Sequence, residues 1–173
     1  NHLVILAKNS LGLSNLFNLV SKSYKQGFYK YPRIDFDFLQ EHNNGLVCLS
    51  GCVAGPFSTR IAKLEHAGKS FDEIQAELAN LTDRFVSIFG RDNFFYEIQF
   101  NKLEQQRKVN KHLITLSKHT GIKLVATNDA HYPRPELWQD RELYKKLGRL
   151  NFKEDNAFKL PENIDELECE LYP

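Results

Sequence analysis

Methionine is absent from the 173 residues, and the chain opens on Asn1. It is therefore expected to be an excised piece of a longer translation product. Long apolar runs are missing too: Leu3 to Ala7 and Leu46 to Leu49 fall far short of the roughly 20 residues that a membrane-spanning helix needs. No basic-then-apolar leader opens the chain, so neither a membrane nor export is indicated. Cysteine is scarce. Cys48, Cys52 and Cys169 are an odd count without the density of a disulfide-stapled scaffold, which points to a reducing compartment, the cytoplasm. An excess of charge is lacking as well. The 23 Lys and Arg against 22 Asp and Glu leave +1, so no global field holds DNA or an anionic membrane unaided. Any nucleic-acid contact has to come from local patches or a larger assembly. No GxxxxGK[ST] or GxGxxG loop follows a candidate strand, which argues against a P-loop or dinucleotide-binding unit. No internal repeat is visible.

What is present is the composition of a soluble globular domain: 42% hydrophobic residues, 13 Phe, 7 Tyr and 26% charged residues. Short apolar runs alternate with segments of helical period, which reads as repeated βα units. Strands are expected at Leu3 to Ala7, Leu46 to Leu49, Phe94 to Gln99 and Lys123 to Thr127. Leu13, Leu16, Phe17, Val20 and Tyr24 recur at helical spacing and predict a first helix stopping at Gly27, with that face inward. A short helix is expected near Phe36 to His42. After Ser70, whose spacing to Glu73 is that of a capping box, Ile74, Leu78, Leu81, Phe85 and Ile88 share one face of a longer helix. Val109, Leu113 and Leu116 mark another, closed by Gly121, and a last helix is expected over Glu136 to Leu150. Right-handed crossovers predict a continuous parallel sheet, either open or lacking strands at its start, since so few strands cannot close a barrel.

In such architectures reactive residues collect at the carboxyl ends of strands. Asp129 and His131 follow the fourth strand at a spacing of two, so a carboxylate and an imidazole reach one ion together. Cys52 follows the second strand just past Gly51, and the three offer an oxygen, nitrogen and sulfur set that suits zinc. A surface loop with a capping carboxylate and an inert buried thiol reads equally well from these residues alone. Glu97 shares the parity of Phe95 and Gln99. It either points into a barrel interior to support a ligand or is simply a polar strand residue. His2 precedes its strand, so in a simple parallel sheet it faces the opposite end. His42, His66, His112 and His119 lie on or beside amphipathic helices and read as solvated or capping residues; Cys48 reads as structural. The stretches Arg107 to Lys111 and Lys145 to Arg149 either touch phosphates or solvate a helix face.

The runs HLVILAKNSLGLSNLFNLVSKSY, GFYKYPRID, GLVCLSGCVAG, FFYEIQ, EQQRKVN and VATNDAHY, in that order over Asn1 to Pro135, resemble the PHP (polymerase and histidinol phosphatase) domain of bacterial DNA polymerase III alpha subunits. The resemblance implies an α/β fold, a partial distorted (β/α)7 barrel with a parallel sheet core. It divides the chain into PHP residues 1–135 and a helix and linker, 136–173, toward a polymerase palm. By resemblance the family's late metal ligands fall on Cys52, Asp129 and His131, its first-strand His on His2, and Glu97 supports them. Its earlier ligands are absent from this sequence. The implied cofactors are zinc here and magnesium in the parent polymerase. The implied partners are DNA, a sliding clamp and a proofreading exonuclease subunit, with no membrane. Metal-dependent 3′–5′ exonuclease or phosphoesterase chemistry in the intact domain is one implication, and a scaffold without catalysis or a free-standing phosphoesterase are the others. Phe100-Asn101-Lys102 departs from the His-Gly that relatives carry after Glu97.

Overall fold

The fold follows from where the apolar periods change. The computed structural model describes residues 1–128 and 130–149. Its elements are β1 (Val4–Ala7), α1 (Ser10–Lys25), α2 (Phe36–Glu41), β2 (Leu46–Leu49), α3 (Pro56–His66), α4 (Phe71–Phe89), β3 (Phe94–Gln99), α5 (Glu104–Thr120), β4 (Leu124–Thr127) and α6 (Trp138–Arg149). Local chemistry sets their ends. The Ser70 hydroxyl accepts from the Glu73 amide while the Glu73 carboxylate accepts from the Ser70 amide, the reciprocal capping box expected at the start of α4. Asn9 and Asp35 cap α1 and α2 one way only, their side chains accepting from the Gly12 and Phe38 amides. Gly121 ends α5 in the left-handed region that glycine enters without strain.

The strands stand in the order β1-β2-β3-β4 as an open sheet. β2 and β3 run parallel with Leu49 beside Phe95, and β3 and β4 run parallel with Gln99 beside Thr127. Helices α3, α4 and α5 cover one face. There Phe57, Phe85, Phe94 and Tyr96 pack ring to ring with centroids 5.2–5.9 Å apart. Leu78, Ile61 and Leu113 fill the space around them at full burial. The Tyr96 hydroxyl reaches Thr82 of α4 and Thr120 of α5, which fixes the helical face of β3. By strand alternation Glu97 and Gln99 therefore sit on the other face.

Two expectations fail. β1 pairs with β2 antiparallel, Val4 beside Leu49 and Ala7 beside Leu46, so the sheet is not wholly parallel. No crossover helix separates β1 from β2 in the parallel sense; α1 and α2 instead carry the chain back beside its own strand, and handedness of crossover does not constrain that turn. The second concerns α1, whose buried residues are Gly12, Leu19 and Ser23. Leu13, Phe17, Val20 and Tyr24 are exposed by 44–62%. The small Gly12 explains this rotation: a Cβ there would lie 1.9 Å from the Gly45 carbonyl oxygen, so the helix lies backbone to backbone against the turn before β2. That close approach, not apolar count, decides which face turns in.

Candidate functional site at the carboxyl face

Reversal of β1 changes what its first residues can do. Because β1 runs against β2, the start of β1 lies at the carboxyl end of β2. The His2 amide donates to the Ala54 carbonyl at 2.9 Å, and a Cβ on Gly51 would come within 2.9 Å of the His2 carbonyl oxygen. His2 thus lies against the turn that carries Cys52. The expectation that it faces the opposite end is overturned by strand direction alone. Four strand ends meet on this face: the start of β1 and the ends of β2, β3 and β4.

Beneath them is a polar network that the alternation of β3 builds. Glu97 is 4% exposed and Gln99 is 3% exposed. The Glu97 Oε1 accepts from the Thr127 hydroxyl at 2.6 Å and from the Gln99 carboxamide at 3.2 Å, and Gln99 also donates to Thr127 at 3.3 Å. Ser50, fully buried at the end of β2, accepts from the Glu97 amide at 2.8 Å. The other carboxylate oxygen of Glu97, Oε2, is buried with no hydrogen-bond partner among the described residues. A carboxylate oxygen left this way costs free energy unless a cation or donor meets it. Burial pushes the neighbouring Cys48 thiol far above its usual range, and the charge of Glu97 adds to the rise. Cys48 is accordingly an inert core thiol.

The candidate ligands are placed as follows. Cys52 is half-buried in the turn after β2. His131 is exposed beyond β4, and Asp129 and Cys169 lie outside the described residues. Among the described residues no three His, Cys, Asp or Glu side chains converge as a metal-holding group. Cys52 and His2 start from the same end of the sheet and carry a sulfur and a nitrogen of the types zinc takes, while Glu97 offers an unmet oxygen on the face of β3 turned away from the helices. The donor chemistry suits a metal, without a converged ligand set among the described residues.

Sequence reasoning missed Ser50, Gln99 and Thr127. Their signal was the strand parity already used for Glu97, extended across to the neighbouring strand. It also set His112 aside as solvated or capping. His112 is 4% exposed, stacked on Phe71 with Nδ1 accepting from Gln75 at 2.9 Å. It is a core residue between α4 and α5.

A βα sheet with a polar carboxyl face is the layout of part of a (β/α)-barrel-type domain. Residues 1–101 match the family described as PHP domain, and the chain belongs to that family. The open sheet is compatible with part of that family's (β/α)7 barrel. The chain is 36% identical over 153 residues to the DNA polymerase III subunit alpha of Aquifex aeolicus, covering 88% of the chain and 12% of that protein. It is 42% identical over 135 residues to the protein of the same name from Thermus aquaticus, covering 78% and 10%. The one from Borreliella burgdorferi is 36% identical over 177 residues, covering 99% and 15%. The chain thus spans 10–15% of the length of these relatives.

Proposed function

We propose that this chain is part of the PHP portion of a replicative DNA polymerase alpha subunit and that its carboxyl face holds part of a zinc centre. The observation that supports the reading is that His2 lies against the turn carrying Cys52 at the end of the sheet where β3 and β4 also end, with one oxygen of the buried Glu97 unmet among the described residues. The names of the relatives support the polymerase context, in which the whole protein is a DNA-directed DNA polymerase. Residues 1–135 form the PHP part, and 136–173 lead toward the palm. Cys52, Asp129, His131 and His2 would hold the metal.

Zinc bound there supplies Lewis-acid polarisation of a phosphodiester and an activated water, the chemistry of a 3′–5′ exonuclease or phosphoesterase. The chain's own residues do the positioning. Glu97 and Gln99 grip Thr127 and so fix the end of β4, the strand that precedes Asp129 and His131 in the sequence. Ser50 ties the end of β2 to β3 just before Cys52. The parent acts in the cytoplasm on DNA, with magnesium for polymerisation and with a sliding clamp and a proofreading exonuclease subunit as partners. No helix among the described residues is long and apolar enough to cross a membrane.

The test is elemental mass spectrometry of the full-length parent beside a Cys52→Ala, His131→Ala double variant. Stoichiometric zinc in the parent, lost in the variant, is expected. Absence of metal from both would leave the domain as a scaffold for the polymerase.

A further inference from the structure

Next to the end of β3 lies a cavity of about 300 Å³ that the metal reading does not use. Gln99, Phe100, Asn101, Lys102, Arg107 and Asn110 line it. Its walls are pinned. The Asn110 carboxamide donates to the Gln99 carbonyl at 2.7 Å and accepts from the Gln99 amide at 3.4 Å, and Gln106 holds that carboxamide at 2.8 Å. Asn101 accepts from the Leu103 amide at 3.1 Å, which fixes the turn into α5.

On this rigid frame the chemistry is that of a nucleotide site. Phe100 is 77% exposed, a phenyl face without a packing partner's cover. Arg107 stands beside it, held only loosely by Glu104 at 3.9 Å with both side chains more than two-thirds exposed. Lys102 adds a second cation. The first turn of α5 has no side-chain cap, and residues 99–111 carry Lys102, Arg107, Lys108 and Lys111 against the single acidic Glu104. A chain that is almost neutral overall therefore places a local excess of positive charge beside the end of β3. Lysines on a helix usually only solvate it; an exposed aromatic set between cations at a cavity mouth does more, because bases stack on the ring while phosphates meet the charges. The volume is at the lower end for a small-molecule pocket and suits one nucleotide unit. Gln99 pairs with Thr127, so the cavity adjoins the end of β4 that leads to His131.

We propose that this cavity is a subsite for single-stranded DNA, with one base stacked on Phe100 and its flanking phosphate on Lys102 and Arg107. It deepens the reading above and rests on it for why a strand is brought to this face. The site itself is built without metal ligands, so the two are separable. It seats a strand end beside the hydrolytic face and takes no part in bond cleavage.

The test uses the full-length polypeptide that carries this chain, a short oligothymidylate with a 3′-terminal 5-iododeoxyuridine, ultraviolet irradiation in chelator, and peptide mapping of the adduct. An adduct on Phe100 is expected, weakening with added salt, and retained in Phe100→Trp. In Lys102→Glu, Arg107→Glu its yield should fall about tenfold, in protein whose thermal melt is unchanged. Adducts confined to other segments, or a yield indifferent to the double charge reversal, would overturn the proposal. Zinc content measured on the same preparations before the chelator is added separates the two readings. Zinc without the adduct removes this subsite and leaves the metal centre standing; the adduct without zinc does the reverse.

Discussion

A carboxylate 4% exposed, with one oxygen doubly hydrogen-bonded and the other unmet, is poorly placed for stability alone. Replacing Glu97 by Gln keeps the size and an acceptor for Thr127 and Gln99 while removing the buried charge. In chelator-treated protein Glu97→Gln is expected to raise stability by about 1–3 kcal/mol, read as a higher urea midpoint, because the unmet charged oxygen is gone. The same change should weaken zinc retention about 10–100-fold in competition with a metal indicator, as loss of an outer-shell carboxylate does. A residue that only fills space would move neither quantity in opposite senses. The thiols give a second residue-scale prediction. Cys52 is half-buried and Cys48 fully buried, its thiol pushed up first by burial and then by the charge of Glu97. At mildly alkaline pH a thiol reagent should label the Cys52 peptide in the folded protein and the Cys48 peptide only with the rate of unfolding. Equal labelling rates would show that the end of β2 is open to solvent.

Elements are held by a few contacts whose loss can be sized. Ser70→Ala removes one half of the capping box of α4 and should cost about 1 kcal/mol in denaturant unfolding. The carboxyl of Glu73 is held down to about 2, chiefly by Lys69 and then by the Ser70 amide and hydroxyl, so this capping persists through mild acid. The contact of α4 with α5 does not. Burial pushes the His112 imidazole below its ordinary 6.5, with Glu65 opposing and Lys111 adding to the fall. A group whose folded value is depressed contributes stability that is fully present above pH 6.5 and is lost as pH falls through the folded value. Urea midpoints should therefore drop below pH 6.5, and His112→Gln should flatten that slope. An unchanged slope in the variant would place the acid sensitivity elsewhere. These elements were legible in the sequence where a local signal was self-sufficient: the capping box and apolar face of α4, the span of β3, and the glycine closing α5. The inward face of α1 was not, because Gly12 against Gly45 is a contact between segments more than 30 residues apart in sequence, which no periodicity registers. The direction of β1 was illegible for the same reason. With it went the placement of His2, while the strand-end position of Cys52 and the parity of Glu97 with Gln99 were legible because position within one strand suffices for them.

At the scale of the whole molecule the unusual feature is how much apolar surface stays outside. Leu13, Phe17, Val20 and Tyr24 lie three or four residues apart on α1 and are exposed by 44–62%, and Phe28, stacked on Tyr24, is exposed by 56%. β1, at the edge of the sheet, adds Leu6 at 52% exposure and an unpaired row of backbone groups. A continuous stripe of this kind exceeds the scattered apolar residues of an ordinary monomer surface and favours association. The isolated chain is expected to self-associate, its sedimentation coefficient rising and its melt broadening with concentration. Phe17→Glu with Tyr24→Lys should abolish that dependence without loss of helix signal, since both side chains stand in solvent and touch none of the core around Phe57 and Phe85. By contrast Gly12→Ala, which drives a methyl group into the Gly45 carbonyl, should cost about 1–3 kcal/mol and sharpen association rather than relieve it, because α1 must lift from the turn before β2. A sharp, concentration-independent melt of the unmodified chain would show that the stripe is not sticky in water. The charge pair would then change nothing, whereas Gly12→Ala would still destabilise, so the two variants separate the outer face of α1 from its inner contact.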